Sequence, residues 1–165
     1  MSDEPQGGPN AAAVLAAIRR LLDEAGASYR ALHHEPTTTS EESARVRGEP
    51  LSVGAKALLL KLDDAFGLFV LPADRKLDSA AVKRQCGAKK SRFATADELL
   101  AATGLVPGSV PPFGTPILPF KLWADDEVGR AHGRVAFNAG SLTDSIILST
   151  DDWERVARPE RFRFS

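Results

Sequence analysis

The sequence has very little cysteine, no long apolar run and no excess of charge of either sign. Its single cysteine, Cys86, excludes an intramolecular disulfide. No apolar stretch approaches the roughly 20 residues that a membrane-spanning helix needs, and the N-terminus lacks the charged start and apolar segment of a signal peptide. The net charge of −1 excludes a global field that would draw the chain to nucleic acid or to a membrane. We therefore expect a cytoplasmic protein without a membrane partner.

The motifs of several common enzyme classes are also missing. The chain has no Gly-x-Ser-x-Gly nucleophile elbow, no Walker loop and no dinucleotide-binding glycine fingerprint. Its three histidines are not spaced as zinc ligands, and Cys86 has no histidine near it in the sequence. We expect neither a metal nor a cofactor. Of the adjacent pair His33 and His34, one could touch a ligand, and His34 is taken as the candidate.

With 165 residues, 43% of them hydrophobic, the chain is long enough for one domain with a substantial core. The polar residues 1–9, which include glycine and proline, are expected to form a disordered leader, and residues 10–165 the domain. Strands grouped in pairs with helices between them predict a single α+β domain, with a mixed sheet and flanking helices. The expected helices begin after Asn10, Thr39, Asp78 and Thr95 and at residue 151, and the expected strands cover 29–32, 55–62, 66–71, 117–124, 134–137 and 145–149.

Lys56 lies in line with leucines in the expected strand 55–62. Alternation along a strand places Lys56 on the same face as Leu58 and Leu60. An ammonium group is costly to bury without a partner, so a lysine on an apolar face either serves a site or lies at the mouth of the strand. In the second case its side chain would simply reach out to solvent.

The segment 108–114 predicts a rigid loop bounded by glycine. Pro111 and Pro112 stiffen it, while Gly108 and Gly114 permit positive φ or close approach of a ligand. Such a loop can present backbone N–H groups to a carbonyl oxygen or to a developing oxyanion. The alternative is an ordinary connection between a helix and a strand.

A turn of small residues follows the expected strand 134–137. Asn138 offers both a donor and an acceptor, Gly140 lets a ligand approach, and Asp144 follows close behind. These residues could line a pocket, or they could form a plain turn at the end of a strand.

Positive charge is concentrated between residues 75 and 92. Seven basic residues stand there against one acid, Asp78. This segment could meet phosphate groups, with Lys83, Arg84, Lys89 and Lys90 as the candidates for nucleic-acid binding, or it could be a solvated helix surface.

Taken together in order, these segments resemble the YbaK/ProX family of aminoacyl-tRNA editing domains, which is related to the editing insertion of bacterial prolyl-tRNA synthetases. The resemblance covers the chain from about Val14 to Ala157. The segments that carry it are Tyr-Arg-Ala-Leu-His-His-Glu-Pro at 29–36, Glu-Glu at 41–42, Gly-Ala-Lys-Ala-Leu-Leu-Leu-Lys at 54–61, Lys-Leu-Asp at 76–78, Gly-Ser-Val-Pro-Pro-Phe-Gly at 108–114 and Phe-Asn-Ala-Gly at 137–140.

The resemblance implies a free-standing deacylase that hydrolyses the ester of a mischarged tRNA. It implies that Lys56 holds the terminal adenosine phosphate or orients the 3′ end. It also implies that backbone N–H groups near Gly108, in the loop that reaches Pro112, hold the aminoacyl carbonyl. Asn138, Ala139 and Gly140 would form the opposite wall, although many family members carry a different residue at the position of Asn138.

The implied mechanism is substrate-assisted, because the sequence offers no evident nucleophile or base. Water attacks the ester with help from the ribose hydroxyl of the tRNA. The implied amino acid is small, with alanine or serine and threonine favoured and cysteine kept as a further candidate. The implied partners are the mischarged tRNA and an aminoacyl-tRNA synthetase that could recruit the protein.

Two other functions stay open at this point. One is a non-catalytic module of the same fold that binds tRNA or a synthetase. The other is a hydrolase of small esters or thioesters that has no relation to tRNA.

Overall fold

The computed structural model describes residues 4–165 and contains five α-helices and eight strands in that range. None of the helices within residues 4–165 is long and apolar enough to cross a membrane. The predicted α+β fold class is confirmed. The helices are α1 (Ala11–Glu24), α2 (Ser40–Arg47), α3 (Ser79–Cys86), α4 (Ala96–Thr103) and α5 (Thr150–Ala157). The strands are β1 (Tyr29–His33), β2 (Ala55–Leu62), β3 (Ala65–Pro72), β4 (Ser91–Phe93), β5 (Leu122–Asp125), β6 (Arg134–Asn138), β7 (Asp144–Ser149) and β8 (Glu160–Phe162).

The strands form two sheets that meet at the start of β2. The larger has the order β4-β2-β3-β5-β8, in which the hairpin β2–β3 is antiparallel and β5 and β8 add in parallel. The smaller has the antiparallel order β1-β7-β6. A parallel bridge between Gly54 and Ala136 joins them. Lys56 of β2 and Asn138 of β6 each lie two residues after this bridge, so they stand at the same level on neighbouring strands.

The alternation predicted for β2 is confirmed by the two apolar clusters on its faces. Ala55 and Leu59 belong to the main core, together with Ile18 of α1 and Trp153 of α5. Leu58, Leu60 and Leu62 pack in the smaller cluster around Phe69 and Phe164. Burying one such leucine fully is worth about 1.5–3 kcal/mol. The face of β2 that carries Lys56 is thus the one on the smaller cluster, and Lys56 lies at its open end.

The predicted strand 117–124 is wrong over its first half. Pairing begins only at Leu122, and residues 115–120 form turns in which the N–H groups of Ile117 and Leu118 donate to the Gly114 carbonyl. Pro116 and Pro119 explain the difference, because neither has the N–H that a sheet ladder requires. The peptide bond between Thr115 and Pro116 is cis.

Within the predicted disordered leader, 1–9, residues 6–8 contact the rest of the domain, and residues 1–3 lie outside the described residues. The N–H of Gln6 donates to Thr143 Oγ1 at 3.1 Å, and the Gly7 carbonyl accepts from the N–H of Val106 at 2.9 Å and from Ser109 Oγ at 3.2 Å. A Cβ on Gly7 would lie 2.9 Å from that of Ser109, so only glycine fits this close approach. The segment packs against the loop that carries Gly108.

Candidate active site

A pocket of about 190 Å³ opens where the two sheets meet. Three residues predicted from the sequence, Lys56, Gly108 and Asn138, line it together. The rest of its wall comes from the start of β2, from Arg47, Ala73 and Val110, and from a row of hydroxyl side chains around the start of α2. Those hydroxyl residues are Thr37, Thr38, Thr39, Ser40 and Ser43.

Lys56 reaches the pocket from the second residue of β2. Its side chain is half-buried, and its Nζ makes one long hydrogen bond, 3.5 Å, to the Arg75 carbonyl. Within residues 4–165 no carboxylate oxygen lies within 4 Å of the ammonium group. An ammonium group has three donors, so this cation has capacity left for an anionic ligand.

Ser109 holds the Gly108 loop in place. Gly108 and Val110, on either side of it, offer their backbone N–H groups. Ser109 donates twice to the Val106 carbonyl, through N–H at 3.1 Å and through Oγ at 2.8 Å. Gly108 itself has a φ of 89°, a conformation that glycine adopts readily. Among the described residues, the N–H groups of Gly108 and Val110 have no acceptor. Both residues line the pocket, so their N–H groups are candidates for holding a carbonyl oxygen.

Asn138 connects this loop to the opposite wall. Its Nδ2 donates to the Gly108 carbonyl at 2.7 Å, and its Oδ1 accepts from Arg47 Nη2 at 2.9 Å. Ser145, directly opposite on β7, donates to the same Oδ1 at 3.3 Å. The side-chain amide is thus fixed at both ends.

Arg47 is a site residue that the sequence reasoning missed. Thr39 caps the start of α2, and Gly48, with a φ of 68°, ends it directly after Arg47. Its side chain turns inward, is 9% exposed, and donates through Nε to Ser145 Oγ at 3.0 Å. Burial lowers the pKa of Arg47 to about 10, against the attraction of Glu49, which raises it. The guanidinium therefore remains charged at neutral pH.

The pocket lining does not include His34, which instead supports the wall from behind. Its Nε2 lies 2.8 Å from Ser145 Oγ and its Nδ1 lies 2.7 Å from the Glu35 carbonyl. Because a carbonyl can only accept, His34 Nδ1 carries a proton and donates it to the Glu35 carbonyl.

Asp144, which was predicted to bind substrate, also lies outside the pocket lining. Its carboxylate accepts from Ser141 Oγ at 2.7 Å and Thr143 Oγ1 at 2.9 Å, and its Oδ1 lies 2.8 Å from His33 Nδ1. Burial by itself raises the pKa of Asp144, but the hydrogen bonds with His33, Ser141 and Thr143 outweigh it, and the pKa lies below its ordinary value. The carboxylate ties together the turn between β6 and β7.

Three further predicted substrate-binding residues pack in the interior and do not line the pocket. Ala139 is fully buried, and a Cβ on Gly140 would lie 2.5 Å from a methyl carbon of Val14. Pro112 is buried, and its carbonyl accepts from the indole N–H of Trp153 at 3.0 Å. Their small size or rigidity serves the packing of helices against the sheet ends.

Three of the four basic residues predicted to bind tRNA surround a second hollow, of about 470 Å³. Lys83, Lys89 and Lys90 line it with Lys61 and Arg92, while Arg84 is exposed on α3 outside its lining. Asp63 organises the floor, since its carboxylate accepts the N–H groups of Lys89 and Lys90 at 3.1 and 2.9 Å. At about 3.3 Å per strand residue, Lys61 lies roughly 17 Å along β2 from Lys56.

The fold defines the class of protein first. It superimposes with a TM-score of 0.74 on a solved structure described as a candidate trans-editing enzyme for prolyl tRNA synthetase, which is 21% identical, over 92% of this chain and 96% of that one. At this identity the likeness shows the fold alone, that of a two-sheet α+β domain.

Sequence comparison then identifies the family. The family model of the aminoacyl-tRNA editing domain matches residues 34–156. The multifunctional Ser/Thr-tRNA deacylase ProXp-y of Escherichia coli (strain K12) is 36% identical over 149 residues, 87% of this chain and 88% of that protein. The prolyl-tRNA editing protein ProX of Acetoanaerobium sticklandii is 31% identical over 150 residues, 86% and 89% of the two chains. The chain belongs to the aminoacyl-tRNA editing domain family, and the predicted YbaK/ProX resemblance is confirmed.

Proposed function

We propose that the protein is a free-standing deacylase that hydrolyses the ester of a tRNA mischarged with a small amino acid. The observation that carries the proposal is the convergence of Lys56, the Gly108 loop and Asn138 on one pocket in a chain of this family. No cysteine, histidine or carboxylate is among the described residues that line that pocket. The Ser and Thr hydroxyls of the wall thus have no histidine or carboxylate in the lining to activate them, which supports hydrolysis by water without a covalent enzyme intermediate.

In the proposed mechanism the substrate supplies part of its own catalysis. The free ribose hydroxyl of the terminal adenosine assists a water that attacks the ester carbonyl, and the bond to the ribose oxygen breaks. The N–H groups of Gly108 and Val110 stabilise the negative charge that develops on the carbonyl oxygen. Removing one donor of this kind typically lowers a rate by about 10²–10³. Lys56 neutralises a phosphate of the tRNA 3′ end and positions it, without abstracting a proton.

The hydroxyl-rich wall supports serine or threonine as the first choice of amino acid. Thr37 Oγ1 and Ser43 Oγ lie 2.8 Å apart and are both buried, so the pair presents polar atoms next to the pocket. The Escherichia coli relative is named a Ser/Thr-tRNA deacylase. Alanine is the second choice, because it fits the same space but makes no hydrogen bond to the hydroxyl groups of the wall. Cysteine is third.

The basic hollow supports docking of the acceptor stem through phosphates. Lys83 of α3 converges there with Lys89 and Lys90, which lie just before β4, beside the sheet that carries Lys56, and Arg84 extends the positive surface along α3. Contacts of this kind carry affinity without sequence discrimination and weaken with salt. Recognition of the right tRNA could then come from a synthetase that recruits the protein in the cytoplasm.

A deacylation panel tests this function. The wild type and Lys56→Ala are assayed on tRNAs charged with Ala, Ser, Thr, Cys and Pro. We expect selective hydrolysis of Ser-tRNA and Thr-tRNA, lost in the variant. Hydrolysis of Ala-tRNA or Cys-tRNA in their place would overturn the choice of amino acid but keep the deacylase. Binding of tRNA without hydrolysis of any substrate would overturn the deacylase in favour of a binding module.

A further inference from the structure

Arg47 is a buried cation without an ion-pair partner. Within residues 4–165 its guanidinium has no carboxylate oxygen within 4 Å, and its side-chain acceptors are an amide and a hydroxyl. Burying a charge on neutral partners is costly, and stability alone would favour an apolar side chain at such a position. The charge is therefore better explained by what it does to the groups it touches.

What Arg47 does is fix the orientation of the Asn138 side chain. A guanidinium only donates hydrogen bonds, so the Asn138 atom that faces Arg47 must be the oxygen. The nitrogen then faces Gly108, whose carbonyl only accepts. If the amide were flipped, both contacts would become repulsive, donor against donor and acceptor against acceptor. The two constraints agree, and the amide has one allowed orientation.

This orientation bears directly on the loop that holds the aminoacyl carbonyl. Asn138 Nδ2 clamps the Gly108 carbonyl at 2.7 Å. The direction of that carbonyl sets the backbone of a glycine with a φ of 89°, a residue with wide conformational freedom. The N–H groups of Gly108 and Val110 lie on either side of the clamped peptide. An unclamped Gly108 would let these donors turn away from the pocket.

We propose that Arg47 is a positioning residue for the ester hydrolysis. It acts through Asn138 to hold the Gly108 loop in the conformation that presents its N–H groups to the substrate carbonyl. The inference rests on the proposed function. It assigns a role to a residue outside the set that the sequence indicated, and it makes the rate of hydrolysis, rather than tRNA affinity, the quantity that depends on Arg47.

The geometry also distinguishes arginine from lysine at this position. Nε donates to Ser145 Oγ while Nη2 donates to Asn138 Oδ1, so two acceptors are held by two corners of one planar group. A lysine ammonium is a single point at the end of a flexible chain and cannot reproduce this fork. Arg47→Lys should keep the charge and recover only part of the rate.

The experiment compares Arg47→Met, Arg47→Lys, Asn138→Ala and the double variant Arg47→Met/Asn138→Ala. Single-turnover rates and KM are measured on Ser-tRNA, and thermal melting checks folding. The control is Arg155→Met, since Arg155 also bridges two acceptors, the Ala25 carbonyl and Asp152, but lies outside the pocket lining. We expect Arg47→Met to lower the rate about tenfold with KM within about twofold, and the control to change neither.

The double variant decides whether Arg47 acts through Asn138. If it does, Arg47→Met slows the Asn138→Ala protein by less than about twofold, because the clamp is already absent. The proposal would be overturned if the rate losses of the two single variants multiplied in the double variant. It would also be overturned if Arg47→Met changed KM and left the rate unaltered. In NMR spectra without substrate, Arg47→Met should shift the Gly108 amide and the Asn138 side-chain amide signals, and unchanged signals would count against the clamp.

The experiments can overturn the proposed function and the role of Arg47 separately. A wild type that hydrolyses no aminoacyl-tRNA overturns the proposed function and, with it, the catalytic role of Arg47. An active wild type whose rate is unchanged in well-folded Arg47→Met and Arg47→Lys overturns only the role of Arg47.

Discussion

The two sides of the pocket each carry a cation, and the two cations are held very differently. Arg47 is buried, donates to Ser145 and Asn138 over 2.9–3.0 Å, and is fixed in one geometry. Lys56 is half-buried and makes one contact of 3.5 Å, to a backbone carbonyl. The fixed cation organises protein groups, whereas the loosely held cation keeps its donors for a ligand. In the proposed function, one wall is preorganised for the ester carbonyl and the other is available for the charged end of the substrate.

The difference follows from the elements that carry the two side chains. Arg47 ends a helix that is stopped by Gly48, and its side chain is directed across β6 and β7 into a network of side chains. Lys56 is the second residue of β2 and shares a face with the smaller apolar cluster, where a long side chain can bury its stem and leave its ammonium near solvent. Preorganisation of polar groups is what transition-state stabilisation needs, while a flexible cation suits an incoming phosphate.

We expect a large effect from breaking the fixed wall at Gly108. Gly108→Ala places a side chain at a φ of 89° and 3.3 Å from Leu142 Cδ2. We expect a loss of stability of about 1–2 kcal/mol from the backbone strain and a loss of roughly 10- to 100-fold in deacylation rate as the N–H donors shift. Melting curves and single-turnover assays measure the two effects.

Gly26→Ala is the matched control for that substitution. Gly26 has a φ of 69° and open space around its Cβ position, at the end of α1 and outside the pocket lining. It should show a similar loss of stability without the loss of rate. Equal rate losses in the two variants would mean that Gly108 contributes only stability.

A smaller effect is expected from reversing the charge of the basic hollow. Charge reversal of Lys83, Lys89 and Lys90 to glutamate should raise KM for the aminoacyl-tRNA by about tenfold or more and flatten its dependence on salt, because phosphate contacts are lost. The rate at saturating tRNA should stay the same. The control reverses three exposed arginines elsewhere, Arg20, Arg130 and Arg163. An equal rise in KM in that control would mean that the change in net charge alone causes the effect.

The smallest effect concerns the stability that the Asp144 carboxylate contributes to the turn between β6 and β7. The folded-state pKa of Asp144 lies below its ordinary value, so its contribution to stability is present at neutral pH and is lost as the pH falls through that folded-state value. We expect the melting temperature of the wild type to fall more steeply below about pH 4 than that of Asp144→Asn. Parallel curves for the two proteins would show that the carboxylate contributes no such stability.

Local pattern predicted the parts of the site that are carried by backbone elements. The alternation of β2 placed Lys56 on one face with Leu58, and the Gly108 loop was recognised from glycine and proline alone. The family resemblance supplied Asn138 as their neighbour. These are short-range features, so a single sequence contains the signal for them.

The parts that were missed depend on which side chains meet across the fold. Arg47 and Arg45 look alike in sequence, and only the approach of β6 and β7 to the end of α2 buries Arg47. Asp144 was predicted to touch substrate because it follows the Asn138 turn, yet its neighbours turn its carboxylate inward. Gly7 looked like part of a disordered leader, because nothing in residues 1–9 reveals that a groove beside Ser109 accepts it.

The most direct test of the account compares Lys56→Ala with Lys121→Ala in single-turnover hydrolysis of Ser-tRNA. Lys121 is also a cation held near the end of a strand, over the Trp123 ring and beside Glu160, but it lies outside the pocket. We predict a loss on the order of 100-fold in kcat/KM for Lys56→Ala and less than about threefold for Lys121→Ala. Equal activity in the two variants would contradict the claim that the loosely held cation of this pocket serves the substrate.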